Sequence, residues 1–295
     1  MELNTGHSAR DVAAGRPSLS VVILTKDEEA NLPVALRSLK KLGAAVFIVD
    51  SGSNDRTVEI AQAAGCTVVA HEFVTHARQL NWALDNLPLT TDWVMRLDAD
   101  ERLTDALIVE LREKLPMLPP DVSGLMLKRR VYFWGRWIKH GGYYPLWLLR
   151  IWRRGAARCE DRDMDEHMLI AQGRIASLEY DFIDENQKGL GFFIDKHNRY
   201  ADKEVAALRS AAGGADATRA GETVARKRFL KDQIYGRAPR YLRAFLYWAY
   251  RYFILLGFLD GKPGFVFHFM QGFWYRLLVD AKLTEAEQSI FSRNS

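Results

Sequence analysis

Apolar and polar positions follow two alternating rhythms along the early part of the chain. LSVVIL (19–24) is a short continuous apolar run, the mark of a buried strand. After it, NLPVALRSLKKLG sets Leu32, Leu36, Leu39 and Leu42 on one helical face, with Asn31 as the expected cap, Pro33 in the first turn and Gly43 as terminator. The cycle repeats. AVFIVD reads as a strand, SNDRTVEIAQAAG as a helix capped near Ser53 or Asn54 and stopped by Gly65, and TVVAHE as a strand. A helix from Thr75 to Leu87 and a fourth strand in DWVMRL complete the series. Repeated strand–helix–strand units with apolar strands predict an α/β fold, its sheet mostly parallel and flanked by helices.

The rhythm then changes. Pro116 to Pro120 break the chain, and GLMLKRRVYFWGRWIKHGG and LWLLRIWRRG read as an extended or antiparallel pair rich in aromatics. An acidic cluster, CEDRDMDEHM, leads to a helix-like stretch around GFFIDKHNRYADKEVAALRS, then to the low-complexity AAGGADATRAGET, read as a linker. The last part, RYLRAFLYWAYRYFILLGFLDGKPGFVFHFMQGFWYRLLVDA, predicts two helices hinged at DGKPG. Its apolar run from Ala244 to Leu259 contains Arg251 and falls short of the ~20 residues that span a bilayer. The helices either pack on the main domain or lie in a membrane interface.

Composition sharpens this picture in two places. The 295 residues carry a formal net charge of +4, but the basic ones cluster. Between Arg226 and Arg251 stand Arg226, Lys227, Arg228, Lys231, Arg237, Arg240 and Arg243 against the single acid Asp232, which points to an anionic surface. Cys66 and Cys159 lie far apart without a CxxC pattern, so neither a disulfide framework nor a zinc site is expected, and a reducing cytosol fits. Residues 1–17 mix both charge signs without an apolar stretch and read as a tail rather than a signal or anchor.

The polar residues at strand ends carry the chemistry, because open α/β sheets bind ligands outside the carboxyl ends of their strands. The first strand ends in TKDE, the second in DSGSND and the fourth in DADE. Asp98 and Asp100, one residue apart with Glu101 beside them, repel unless solvated or bridged by a cation. Mg²⁺ or Mn²⁺ there would accept further oxygens from a diphosphate. No G-x-G-x-x-G follows the first strand, which excludes a dinucleotide-binding oxidoreductase. A phosphatase D-x-D normally continues to Thr or Val, where this chain has Arg102.

VVILTKDEEANL, FIVDSGSNDRTVEIA, HARQLNWAL and WVMRLDADERL, in that order, resemble the family 2 glycosyltransferases of GT-A fold, and more narrowly the bacterial enzymes of lipopolysaccharide core, capsule or exopolysaccharide synthesis. The resemblance covers about 18–206, and LGFLDGKPGF is similar to the same subgroup. It implies a GT-A domain over 18–208, with a nucleotide-binding half (18–118) and an acceptor-side half (119–208), a linker (209–224) and a basic aromatic helical appendage (225–295) that associates with membrane. It implies that Thr25 and Glu28 line the nucleotide-base pocket, Asp50 holds base or ribose, and Arg78 approaches the donor phosphates. Asp98 would contact ribose or sugar, and Asp100, with Asp98, a metal. The family's inverting chemistry needs a carboxylate base across the sugar from the leaving phosphate. Asp165 is the choice, with Glu166 next, from a cluster that also holds Glu160, Asp161, Asp163 and His167. Lys196 and His197 are weaker candidates near phosphates. Trp134, Trp137, Tyr143 and Tyr144 either stack on a sugar or polyprenyl chain or fill core.

The expected activity is therefore transfer of a sugar from a nucleotide diphosphate sugar, UDP first, to a lipid-linked saccharide. The acceptor would be a polyprenyl-diphosphate oligosaccharide or lipopolysaccharide core, at the cytoplasmic face of the bacterial inner membrane. The rival is a catalytically degenerate scaffold of a polysaccharide assembly complex. Nucleic acid is not an expected partner, and homo-oligomerisation is left open.

Overall fold

The computed structural model of the chain describes residues 18–161, 167–212 and 239–291. Its contacts divide into two compact units. One comprises residues up to Trp137 together with Tyr144–Lys188; the other comprises Ile138–Tyr143 and the residues from Gly189 on.

The first unit is built on strands β1 (Leu19–Thr25), β2 (Ala45–Asp50), β3 (Thr67–Ala70) and β4 (Trp93–Arg96), linked by helices α1 (Leu32–Leu42), α2 (Thr57–Ala63) and α3 (His76–Asn86). These four strands pair in parallel, in the order β3-β2-β1-β4. The four leucines of α1 are buried in the same core as Leu19, Val21 and Ile23 of β1. Each fully buried leucine stabilises by roughly 1.5–3 kcal/mol. Gly43 ends α1 at φ 79°, a left-handed value suited to glycine, and its N–H bonds the Leu39 carbonyl.

Two expected caps make no side-chain capping bond: Asn31, at the N-cap position of α1, and Ser53 or Asn54, ahead of α2. Asn31 has helical backbone angles and no side-chain cap bond; its amide instead bridges Glu28 and Gln187. Helix α2 begins only at Thr57, because Asp55 accepts from both the Thr57 N–H and its hydroxyl, holding 53–56 as a turn. Thr75 does cap α3, accepting from the Arg78 N–H at 3.1 Å.

Beyond β4 the sheet becomes mixed. β5 (Glu101–Leu103) and α4 (Asp105–Lys114) precede β6 (Val122–Phe133), β7 (Arg136–Trp137), β8 (Leu146–Arg153) and β11 (Arg174–Asp184), while β9 (Ala157–Cys159) and β10 (Met168–Ile170) pair separately. The aromatic pair is antiparallel as expected: β8 lies between β4 and β6 and runs against both. β11 then joins β6 in parallel and β5 in antiparallel, completing a nine-stranded sheet. β5, α4 and β11 are additions to the sequence reading. α4 starts at Thr104, whose hydroxyl accepts from the Leu107 N–H.

In the second unit, α5 (Gly189–Ala212) packs on α8 (Tyr275–Phe291) through Ala201, Val205, Tyr275 and Val279. Between them in sequence, α6 (Leu242–Ala249) continues as a π-helical turn to Ile254, and α7 (Gly261–His268) continues likewise through Phe269–Trp274 into α8. The chain breaks at Leu255–Leu256, with Leu256 at φ 58°, rather than at DGKPG. That sequence starts α7, where Pro263 lies in the first turn and its missing N–H costs nothing. Among the described residues no single helix is long and apolar enough to cross a membrane. The pair Leu242–Ile254 and Gly257–Gln288, bent by 70°, has that composition when taken together.

Candidate active site

The ends of β1 and β2 are laced together by reciprocal bonds. Thr25 Oγ1 donates to Asp50 Oδ1 at 2.9 Å, and the Ser51 N–H bonds the Thr25 carbonyl. The Asp27 N–H donates to Ser53 Oγ, while Asp27 Oδ1 accepts from the Asn54 N–H. The Glu28 and Glu29 N–H groups donate to Thr57 and Asp55. Asp27 takes φ 53° to make this turn.

Asp50 is the hub. Besides Thr25 it accepts from the N–H groups of Gly52 and Ser53 and from the Ser53 hydroxyl. Burial would raise its carboxyl, but these donors prevail and hold it below its ordinary value. Thr25 and Asp50 are both buried, so in this structure they shape the rim of the β1–β2 edge.

The DADE loop answers how its carboxylates coexist. Arg96 Nε and Arg150 each donate to one Asp98 oxygen at 3.2 Å. Arg150 also bonds Glu101, whose other oxygen accepts from the Asp98 N–H at 2.9 Å. A guanidinium is the bridging cation between Asp98 and Glu101. Burial works against the charge on Asp98, yet Arg96 and Arg150, with His76, hold it well below the usual carboxylate range. Burial pushes the Glu101 carboxyl up to about 8, against the pull of Arg150 and with the charges of Asp98 and Asp184 adding to it.

Asp100 is differently placed. Asn186 donates to its Oδ2 at 3.0 Å, and its other oxygen accepts nothing from the described residues. Glu28 stands on the same rim, bonded by Lys188 and Asn31 at 2.7 Å each. Burial raises its carboxyl; Lys188 and Asn31 oppose this, and the Asp100 charge adds to it.

No three His, Cys, Asp or Glu side chains among the described residues form a self-sufficient metal cluster. The donor set suits a cation of another kind. Mg²⁺ is commonly held by one or two carboxylates and completed by substrate phosphates and water, and Asp100 has a carboxylate oxygen available for that. Asp98 has both oxygens engaged by arginines, so its role as a ligand requires exchanging one of them.

Arg78 stands exposed at the start of α3, paired with Asp161 at 3.2 Å across the surface. Asp165 and Glu166, with Asp163, lie outside the described residues. Of their cluster, Glu160 and His167 are 3.9 Å apart at the foot of the β9–β10 pair, joined by a Glu160 N–H to His167 carbonyl bond. His197 is buried in the second unit's own core, stacked on Phe193 at 3.8 Å with its Nδ1 against the Phe193 carbonyl, which is a packing role. Trp137 packs edge-on to Tyr144, whose hydroxyl donates to buried Asp181. Trp134 stands exposed in the β6–β7 turn.

Arg150, Asn186 and Lys188 were missed by sequence reasoning. Arg150 had a signal: it is the one charge inside the apolar run Leu146–Trp152. Asn186 and Lys188 had none, since their place depends on β11 pairing with β5.

An α/β sheet with donors and carboxylates gathered at its strand ends suits a glycosyl transferase. Residues 20–180 match the family described as glycosyl transferase family 2, and the chain belongs to that family. It is 36% identical over 93 residues to an uncharacterized glycosyltransferase of Rickettsia typhi, covering 32% of this chain and 31% of that one. It is 35% identical over 133 residues to an undecaprenyl-phosphate 4-deoxy-4-formamido-L-arabinose transferase of Pseudomonas paraeruginosa, covering 40% of this chain and 38% of the relative. The matched stretch thus spans about a third of the length of these curated relatives. Among solved structures, residues 1–349 of S. aureus TarS align over 94% of this chain and 92% of that one, with 14% identity and a TM-score of 0.43. Glucosyl-3-phosphoglycerate synthase from Mycobacterium tuberculosis, in complex with Mn²⁺, UDP and glucosyl-3-phosphoglycerate, aligns over 45% of this chain and 51% of that one, with 21% identity and a TM-score of 0.33. Likeness at that level assigns no ligand to this chain.

Proposed function

We propose that this family 2 glycosyltransferase is an inverting enzyme that moves a sugar from a nucleotide diphosphate sugar, UDP favoured, to a hydroxyl of a lipid-linked saccharide. A polyprenyl-diphosphate oligosaccharide is the preferred acceptor and lipopolysaccharide core the second. The place of action is the cytoplasmic face of a bacterial inner membrane. The observation that carries the donor half is the half-engaged carboxylate of Asp100, on the rim where the Glu28 and Asp50 loops converge. The relative from Pseudomonas, an undecaprenyl-phosphate transferase by name, supports a lipid-linked acceptor.

In this reading Thr25, Asp50 and Glu28 shape the cleft for base and ribose, and carboxylates there accept from N–H and hydroxyl groups. Arg78 exchanges Asp161 for a donor phosphate. Asp98, fixed by Arg96 and Arg150, accepts from a ribose or sugar hydroxyl. Asp100 would hold Mg²⁺ or Mn²⁺, which supplies positive charge beside the leaving diphosphate. Asp165, or Glu166 next to it, removes the acceptor hydroxyl proton as that oxygen bonds the anomeric carbon from the opposite face. The bond to the diphosphate breaks, its electron pair leaving on the phosphate oxygen.

The test is thermal stability of the protein against UDP, GDP, dTDP and CDP, with and without Mn²⁺, beside Asp100→Ala. Stabilisation by one nucleotide that needs the metal and vanishes in the variant is the expected result. At a nucleotide concentration about 100-fold above Kd it amounts to roughly 2.7 kcal/mol. Absence of any shift at millimolar nucleotide would sink the donor site and favour the scaffold.

A further inference from the structure

The second unit shows an inverted polarity around its bent helix pair. Large apolar side chains point outward while the charges are drawn in. On the first arm Leu242, Leu246, Phe253 and Ile254 are exposed at helical spacing, Ile254 to 69%. On the second arm Phe258, Phe265 and Phe269 continue the face. Arg251, the one charge in the apolar run, turns away from it: its Nε donates to the Gly141 carbonyl at 2.6 Å and its guanidinium lies 3.8 Å from the Tyr143 ring centroid. Asp260 is buried beneath His140 and His268, 2.6 and 3.1 Å from their ring nitrogens. Arg243 is locked onto buried Asp280, and Arg240 onto Glu287. Lys262 stays exposed beside the apolar face, as do Glu285 and Glu287 near the end of the second arm, and the long lysine stem lets the ammonium reach toward headgroups.

A chain meeting water on this side would turn these residues the other way. Exposed aromatic and aliphatic faces of this extent mark an interaction surface. We infer that the bent pair is a single-leaflet anchor: both arms lie in one interface of an anionic bilayer, apolar face in the acyl boundary, and neither crosses it. Among the described residues no single helix is both long and apolar enough to cross, and the pair is bent by 70°, while a polar inner face and an aromatic outer one suit in-plane binding. Charge complementarity selects anionic lipid. Arg226, Lys227, Arg228, Lys231 and Arg237, which lie outside the described residues, precede the first arm in sequence with Asp232 as the single acid among them. The inference deepens the membrane part of the proposed function and is independent of the donor site. A protein that binds vesicles but no nucleotide upholds the anchor and removes the donor site.

The experiment uses the full chain with phosphatidylcholine vesicles, with and without phosphatidylglycerol. The expected result is cosedimentation with the anionic vesicles that survives a wash at about 1 M NaCl, since at that ionic strength headgroup attraction is screened within ~3 Å. Ile254→Asp with Phe258→Asp is expected to cut the bound fraction at least tenfold with an unchanged thermal midpoint. Tyr241→Cys and Glu285→Cys, each in a chain lacking Cys66 and Cys159, should both react with an impermeant maleimide outside the vesicle. Complete release by salt overturns apolar insertion, and protection of one cysteine overturns the single leaflet. Absence of vesicle binding, with the double variant converting a dimer to monomer, would assign the face to a second copy of the chain and overturn the proposal.

Discussion

Arg150 decides whether the acidic loop can exist in the folded state. It is 6% exposed and is the guanidinium shared by Asp98 and Glu101. Removing it takes the guanidinium from buried Glu101 and leaves Asp98 to Arg96 alone, which costs more than an exposed ion pair contributes. Arg150→Met is expected to destabilise the first unit by about 3–5 kcal/mol, read from urea unfolding. Adding Glu101→Gln should recover a large part, because the buried carboxyl that lost its guanidinium is then gone. Additive losses would mean that Arg150 acts through packing on the Phe182 ring, 5.3 Å away. The same site shows the reach of sequence reading at this scale. DADE and VDSGSND were legible because carboxylates at strand ends are few and local. The residues that compensate them were not, because Arg150, Asn186 and Lys188 arrive from other strands.

Among elements, the four parallel strands were read as short apolar runs, since side chains of each pack into both apolar clusters of the first unit. β11 was not. RIASLEYDFID buries Asp181 along with Leu178 and Phe182, and it can do so because Arg130, Lys128 and Tyr144 from neighbouring strands surround that carboxylate. β5 has three residues, too few for a period. In the second unit, the HGG turn and the LGFLDGKPGF stretch form one device across a long sequence separation. Asp260 accepts from the N–H groups of Lys139 and His140, and Gly141, at φ 67°, lies against His268. A Cβ at Gly141 would stand 2.2 Å from His268 Cε1. Gly141→Ala combines a left-handed backbone with a clash against a buried ring, each costing about 1–3 kcal/mol. It should lower the melting midpoint of the second unit by several degrees, followed by circular dichroism. Gly135→Ala, at φ 72° with nothing within 4 Å of the new Cβ, should lose only the backbone part.

Among the described residues, two compact units, each with its own apolar packing, imply two separately addressable stabilities. The family match ends at residue 180, within the first unit, so a nucleotide with Mn²⁺ should act on that unit's transition. His197 belongs to the other core. Burial holds its imidazole below the ordinary value, with Lys196 adding to this against the bonds to Phe193 and Gln271. A depressed histidine is neutral in the folded state while the unfolded chain takes up a proton. Its contribution is therefore present above about pH 6.5 and lost as pH falls through the lower folded value. Calorimetry of the full chain should resolve two transitions. Nucleotide and Mn²⁺ should raise one of them at constant pH. Lowering the pH below 6.5 should depress the other, and His197→Gln should flatten that slope while leaving the nucleotide shift intact. A single transition that moves with both ligand and pH would mean that the two cores unfold as one cooperative body. In that case the second unit would share its stability with the first, and ligand binding would be felt in both.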